Sequence, residues 1–394
     1  MTAASFIQRH TPTARLASLT FISMAALGMV APYINLYLVE SNLSPTLIGT
    51  LSSVGAVLTL SLTPWFNHIA DKYRLHRRLL IIYFVLAGLA NIMFATSNLQ
   101  WVLIGAFLIS RIAVSPSITL TMQLTMTQIA EGSKKILGQI RSFAAFGFAA
   151  ASFLAGAIFD LGGYTVLFGT GAFFALISIF LSTIFPARSN VVSSKPARIR
   201  DKRHVAFYVL VASQFFVMMG IRNSFTFLFI HFTENLGIST GNIGFWGAFL
   251  AGVEIPIFIF SDRFLPRIKS KTGYLIGILA MAAAVFLLGA VQNTTLLILV
   301  IVFRGFAWPV LFLSGFTIVS DFSEKQNVAT NQAIVQVTMP AIALLLTGTA
   351  FGWVYDHYEP VLFFGLCASM CLVGAMIMVV FRGRFDKALE VQTV

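Results

Sequence analysis

The sequence predicts an all-α membrane protein of twelve transmembrane helices, arranged as two pseudo-symmetric six-helix bundles. Three observations carry this expectation. The chain divides into about twelve apolar runs of spanning length, where about 20 residues suffice. Every lysine and arginine outside those runs falls in alternate connections. The polar landmarks of the first half recur in the second.

The spans follow in order from the charges between them. Arg9 and Arg15 precede the first run, roughly Leu16 to Val39. Lys72, Arg74, Arg77 and Arg78 separate spans 2 and 3, and Lys134, Lys135 and Arg141 separate spans 4 and 5. Arg188, Lys195, Arg198, Arg200, Lys202 and Arg203 lie between spans 6 and 7. Arg263, Arg267, Lys269 and Lys271 follow span 8, Lys325 follows span 10, and Arg382, Arg384 and Lys387 follow span 12. The other connections carry no lysine or arginine, and their charged residues are Glu40, Asp160, Glu234, Asp356 and Glu359. Basic loops stay in the cytoplasm during insertion. The pattern therefore predicts a multi-pass protein of the cytoplasmic (inner) membrane with both termini cytoplasmic.

Composition agrees. Hydrophobic residues make up 58% and charged residues 10%, against roughly 25% charged in a typical soluble domain. A net charge of +12 would suggest nucleic acid in a soluble chain. Here its one-sided distribution is an orientation signal with contact to anionic lipid, so the predicted partners are membrane lipids and a small organic solute, and no nucleic acid. The first run spans and lacks a small-residue cleavage site, so no cleavable signal peptide is expected. Cys367 and Cys371 sit one helical turn apart in span 12. A disulfide there is geometrically poor and two thiols make no metal site. They read as packing residues, and no metal or cofactor is predicted.

The repeat is seen in several places. Leu43-Ser44-Pro45-Thr46-Leu47-Ile48-Gly49 follows span 1, and Ile238-Ser239-Thr240-Gly241-Asn242-Ile243-Gly244 follows span 7. Span 2 ends in Asp71 and span 8 in Asp262; Arg111 precedes Pro116 as Arg304 precedes Pro309. Glu131 and Gln139 match Glu324 and Gln332. Gly156 to Asp160 closes span 5 as Gly352 to Asp356 closes span 11. The predicted units are residues 1–186, a cytoplasmic linker 187–204, and 205–394. Six spans per unit place both units in the membrane in the same direction, related by an axis along its normal. Such a layout suits alternating access about a central site.

These residues resemble the major facilitator superfamily along essentially the whole chain. The family's run after span 2, Gly-x-x-x-Asp-Arg-x-Gly-Arg-Arg, is matched by Asn67, Asp71, Lys72, Arg77 and Arg78, with both glycines missing. Asp262-Arg263 echoes it in the second half, and Arg111 matches the arginine of span 4, although Ser115 replaces the usual glycine. Phe146 to Ala151 lacks the Gly-Pro motif of drug/proton antiporters. The opening Ala31-Pro32-Tyr33-Ile34-Asn35-Leu36-Tyr37-Leu38 resembles the branch of phenylpropionate permeases, nucleoside/proton symporters and lactose permease. That branch implies proton-coupled symport, driven by the proton gradient with no other cofactor.

Four ionisable residues lie deep in spans: Arg111, Arg222, Glu254 and Arg304. Each costs about 2.5–3.5 kcal/mol at a helix centre on insertion scales, so such groups face a polar cavity or a partner. The resemblance implies that spans 1, 4, 7 and 10 line the cavity, which places the three arginines there. One reading has them bind a carboxylate or phosphate of the substrate through bidentate guanidinium geometry. The other has them bond helix carbonyls, Gln123, Gln336 or Glu254, and for Arg111 the family motif also suits a conformational role. Burial and a nearby guanidinium act oppositely on a carboxyl, so Glu254 is the expected proton carrier, paired with Arg304 or Arg222 when ionised. A permanent salt bridge is the alternative.

Tyr33, Asn35, Gln214, Asn223, Trp308 and Gln336 are further candidates for substrate contact. A single polar residue in a span equally serves helix–helix bonding. Trp308, directly before Pro309, is the expected stacking residue, and no phenylalanine is assigned to the substrate. Asp71, Arg77, Arg78, Asp262 and Arg263 at cytoplasmic helix ends are expected to gate, by contacts to neighbouring helix N-termini. His231 and His357 read as solvated residues near the outer face that could sense external pH.

An enzyme would need a nucleophile with a base, a metal cluster or paired acids at membrane depth, and the spans hold one deep acid. The expectation is a secondary transporter, a proton symporter of a small anionic or aromatic solute, acting as a monomer. The alternative is a proton-coupled exporter of sugars or hydrophobic drugs.

Overall fold

Apolar runs in lipid must satisfy every backbone N–H and C=O internally, which leaves helices as the solution for single segments. The computed structural model describes residues 3–73, 75–128, 134–184, 205–264, 268–323 and 327–383, and the helices follow the predicted runs. They are α1 (Ala3–Glu40), α2 (Pro45–Tyr73), α3 (His76–Thr96), α4 (Gln100–Gln128), α5 (Lys134–Ile184) and α6 (Val205–Glu234). After them come α7 (Ile243–Phe264), α8 (Ser270–Ala290), α9 (Thr294–Phe322), α10 (Val328–Ala333), α11 (Met339–His357) and α12 (Pro360–Val380).

Eleven helical segments among the described residues are long and apolar enough to cross a membrane. One of them, in α5, is two helices: the backbone leaves helical geometry at Gly162 and Gly163, the latter with φ 61°. Only glycine takes that left-handed conformation without penalty, so the chain reverses there and supplies spans 5 and 6. Among the described residues that makes twelve spans, as expected. Span 11 is not a uniform helix; α10 passes into a π-helical segment, Ile334–Thr338, before α11 begins.

The repeat is visible in the backbone as well. Asn42 after α1 has φ 63° and Gly237 after α6 has φ 66°. Both carry the left-handed residue that stops a helix, and the two are as far apart in sequence as Gly49 and Gly244.

Two compact units emerge from the packing. The first comprises Met1–Leu43, Leu58–Ser193 and Ile238–Ile259; the second comprises Ser44–Val57, Ser194–Gly237 and Phe260–Val394. α2 and α7 are thus each divided between units. In the first, α1 and α3 pack on α5, and α4 on α3 and α1. Its core holds Leu19, Ala70, Leu79, Leu80, Tyr83, Phe84 and Leu120. In the second, α12 packs on α6 and α8, α8 on α9, and α11 on α6. Cys367 and Cys371 are buried free thiols there, as packing residues should be.

Candidate functional site

In the second unit, α6 carries the deep residues on opposite faces. Asn223 and Ser224 turn into the bundle and are buried. The Asn223 amide donates to the Met219 carbonyl and to Thr347 Oγ1 on α11, both at 2.8 Å. Arg222 is exposed in the middle of the helix. Among the described residues, no hydrogen bond or ion pair reaches its guanidinium. Facing hydrocarbon, that charge would carry an insertion cost of about 2.5–3.5 kcal/mol. Phe225 follows one turn later on the same side and is 43% exposed.

α6 touches both α9 and the π segment. From α9, Arg304 brings its guanidinium carbon to 5.9 Å from the Phe225 ring centroid, while staying only 8% exposed. A cation over an aromatic face is stabilised by about 0.5–2 kcal/mol, more when desolvated. Further along α9, Trp308 is half-buried with its ring 5.9 Å from Phe312. Gln336 stands in the π segment, half-buried, its amide nitrogen close to Gly315 of α9. Local π geometry is frequent at functional sites. Nothing in the periodicity of span 11 announced it.

Other candidates are occupied by packing. Gln214 Oε1 accepts from Tyr274 of α8 at 2.6 Å and is 2% exposed, so it joins α6 to α8. Tyr33, in the first unit, is fully buried, with its ring stacked on Phe159 at 5.8 Å. Asn35 is half-buried on the same helix. Arg111 is half-buried on α4, its guanidinium carbon 4.6 Å from the centroid of Phe107, one turn back. Its carbonyl accepts from Thr59 of α2 at 3.3 Å. Glu254 is half-buried on α7, two residues before Pro256.

At the predicted cytoplasmic ends, Arg77 Nη1 donates to the Thr183 carbonyl at 3.5 Å, tying the start of α3 to the end of α5. Arg78 is exposed. Arg263 lies over the Phe260 ring at 5.1 Å. The side chains of Asp71 and Asp262 lie outside the described residues. An acid the sequence reading passed over, Asp321, accepts from Ser270 Oγ at 3.3 Å at the first turn of α8, where a helix N-terminus favours negative charge. The only sequence signal was a serine opening one span and an aspartate closing the next.

His231 is no solvated loop residue. It is 2% exposed, with Nε2 3.0 Å from the Leu288 carbonyl and Nδ1 3.0 Å from Asn235 Oδ1. Tyr355 of α11 donates to the same Asn235 oxygen at 3.5 Å. His357 is exposed and bonds the Trp353 carbonyl.

Glycines bring backbones together at two crossings. Within the second unit, a Cβ on Gly49 of α2 would collide with the Gly348 carbonyl of α11. Ser53 Oγ donates to the Leu344 carbonyl at 3.0 Å, and Thr46 Oγ1 to Asp356 Oδ2 at 2.6 Å. Within the first, Gly244 of α7 meets the Ser152 carbonyl and Gly156 of α5 in the same way, and Thr240 Oγ1 donates to Glu40 Oε1 at 3.3 Å.

Twelve apolar spans, a repeated six-span unit and a cationic face at mid-span define a polytopic membrane transporter. Comparison with known proteins gives the family. Residues 13–380 match the MFS_1 like family, and the chain belongs to it, within the major facilitator transporters. A maltose permease of Geobacillus stearothermophilus is 27% identical over 270 residues, which span 67% of each chain. The nucleoside transporter NupG superposes with a TM-score of 0.75 at 18% identity, covering 94% of this chain and 98% of that one. A D-xylose-proton symporter gives 0.72 at 16% identity, covering 94% and 97%. The protein is a transporter and not an enzyme.

Proposed function

We propose that the protein is a proton-coupled symporter of a small organic anion, working by alternating access of its two six-span halves, residues 1–186 and 205–394. The observation that carries the anion is Arg222, an accessible guanidinium at mid-span with Arg304 one side chain away across Phe225. The Arg222 charge at mid-span calls for a counter-charge, and guanidinium geometry suits a carboxylate or phosphate. Trp308 and Gln336 supply further contacts in the second unit, and in the first unit Arg111 on α4 and Asn35 on α1 are the candidate substrate contacts. Gln214, Asn223 and Tyr33 act through the packing they hold.

Glu254 carries the coupled proton, charging and discharging as the site opens to either side. The gating contacts at the cytoplasmic ends involve Asp71, Arg77, Arg78, Asp262 and Arg263. The protein sits as a monomer in the inner membrane with both termini in the cytoplasm, uses no cofactor and is driven by the proton gradient. The name of one similar structure, a D-xylose-proton symporter, supports solute–proton symport, and together with that of the maltose permease it favours a second reading, a neutral saccharide as substrate.

The test is a thermal-shift screen of the purified protein against carboxylates, nucleosides, sugars and hydrophobic cations at two pH values. Ligands that bind the native state alone raise its apparent stability. Carboxylate stabilisation lost in Arg222→Ala supports the anion. Stabilisation by sugars alone replaces it with the saccharide, and by hydrophobic cations alone with export.

A further inference from the structure

The sequence holds 39 phenylalanines. One of them, Phe225, is 43% exposed on the same side of α6 as Arg222, a residue costly to leave against hydrocarbon. Its edge is fixed against Phe229, with ring centroids 6.2 Å apart and planes at 75°. The Arg304 guanidinium lies over the ring and is itself nearly buried. The ring is thus held from two directions and remains accessible.

Residues three apart on a helix bring their Cβ atoms within about 5–6 Å. A ring lying on Phe225 therefore places an attached carboxylate within reach of Arg222. Ligand sites pair apolar walls with a few fixed polar groups in this way, and aromatic rings prefer offset or edge contacts with one another.

We propose that Phe225 is the specificity-determining side chain of the site, the wall on which a flat, conjugated ring of the substrate stacks while Arg222 takes its anionic group. This rests on the anion reading above and narrows it to ring-bearing, planar carboxylates. Arg304, held over the ring, is a positioning residue for that wall as well as a second cation.

The experiment measures dissociation constants by thermal-shift titration of the full-length protein with benzoate, cyclohexanecarboxylate, butyrate and maltose. The first two have similar size and the same charge, and differ in planarity. Wild type is expected to bind benzoate about two- to tenfold tighter than cyclohexanecarboxylate, the contribution of an aromatic pair. Phe225→Leu should erase that preference while retaining cyclohexanecarboxylate, which also shows that the variant folds. Phe225→Tyr should keep it. A preference that survives in Phe225→Leu, or equal binding of the two ring acids by wild type, overturns the inference and leaves the anion reading intact. Binding of maltose alone, or carboxylate binding unchanged in Arg222→Gln, overturns the anion reading itself.

Discussion

Ser152 Oγ donates to the Gly244 carbonyl at 3.1 Å, a side chain reaching the backbone of a neighbouring helix where no Cβ stands between them. Ser53 does the same toward Leu344 in the other unit. Crossings this close depend on van der Waals contact and on small residues, because lipid offers no hydrophobic drive for helix association.

Gly49→Val and Gly244→Val should each lower the thermal unfolding midpoint of the purified protein. The added side chain lands on a carbonyl oxygen, and overpacking of this kind costs about 1–3 kcal/mol. Ser53→Ala removes one bond without adding volume and should cost less. Equal midpoints for wild type and both valine variants would mean that the crossings are looser than they look.

Arg222→Ala should weaken carboxylate binding by about ten- to a hundredfold, as expected for losing one charged hydrogen-bonding partner. Its effect on stability in the absence of ligand should be small, because the guanidinium has no bonding partner among the described residues to leave behind. Titrated ligand binding and the ligand-free midpoint separate the two.

Glu254→Gln should abolish uphill accumulation under an imposed pH gradient in proteoliposomes while sparing exchange of solute across the membrane. Proton-driven accumulation that persists in this variant removes Glu254 from the coupling step.

His231→Ala should destabilise by about 1–3 kcal/mol, since it leaves the buried Leu288 carbonyl without its donor. His357→Ala, at an exposed position, should stay within about 0.5 kcal/mol. Denaturation midpoints of the two variants give the comparison directly.

Gln214→Leu and Tyr274→Phe should be non-additive in stability, as residues sharing one hydrogen bond are, and neither should change the ranking of ligands. A ligand-specific effect of Gln214→Leu would return it to the substrate site.

The legible part of the site was chemical type. Arg222 and Arg304 stood out because a charge in a span is costly wherever it is placed, so its presence alone marks a polar surrounding. Gln214 and Asn223 were ambiguous for the opposite reason, since an amide is cheap to satisfy inside a bundle and Tyr274 and Thr347 do so. Phe225 was invisible among the other phenylalanines, and its proposed role depends on an arginine 79 residues further along the chain. His231 was misplaced because the end of an apolar run does not show whether a side chain points outward or between helices.

The sequence by itself determined the class of protein, the twelve spans, the repeat and the residue types of the site, because a bilayer demands apolar length and penalises every charge left within it. The tertiary structure alone decided which face each helix turns inward. That rotation follows from small residues meeting across α2 and α11 or α5 and α7, and from the packing that aligns Arg304 with Phe225. Such contacts join distant parts of the chain, so no local pattern of hydropathy or charge records them.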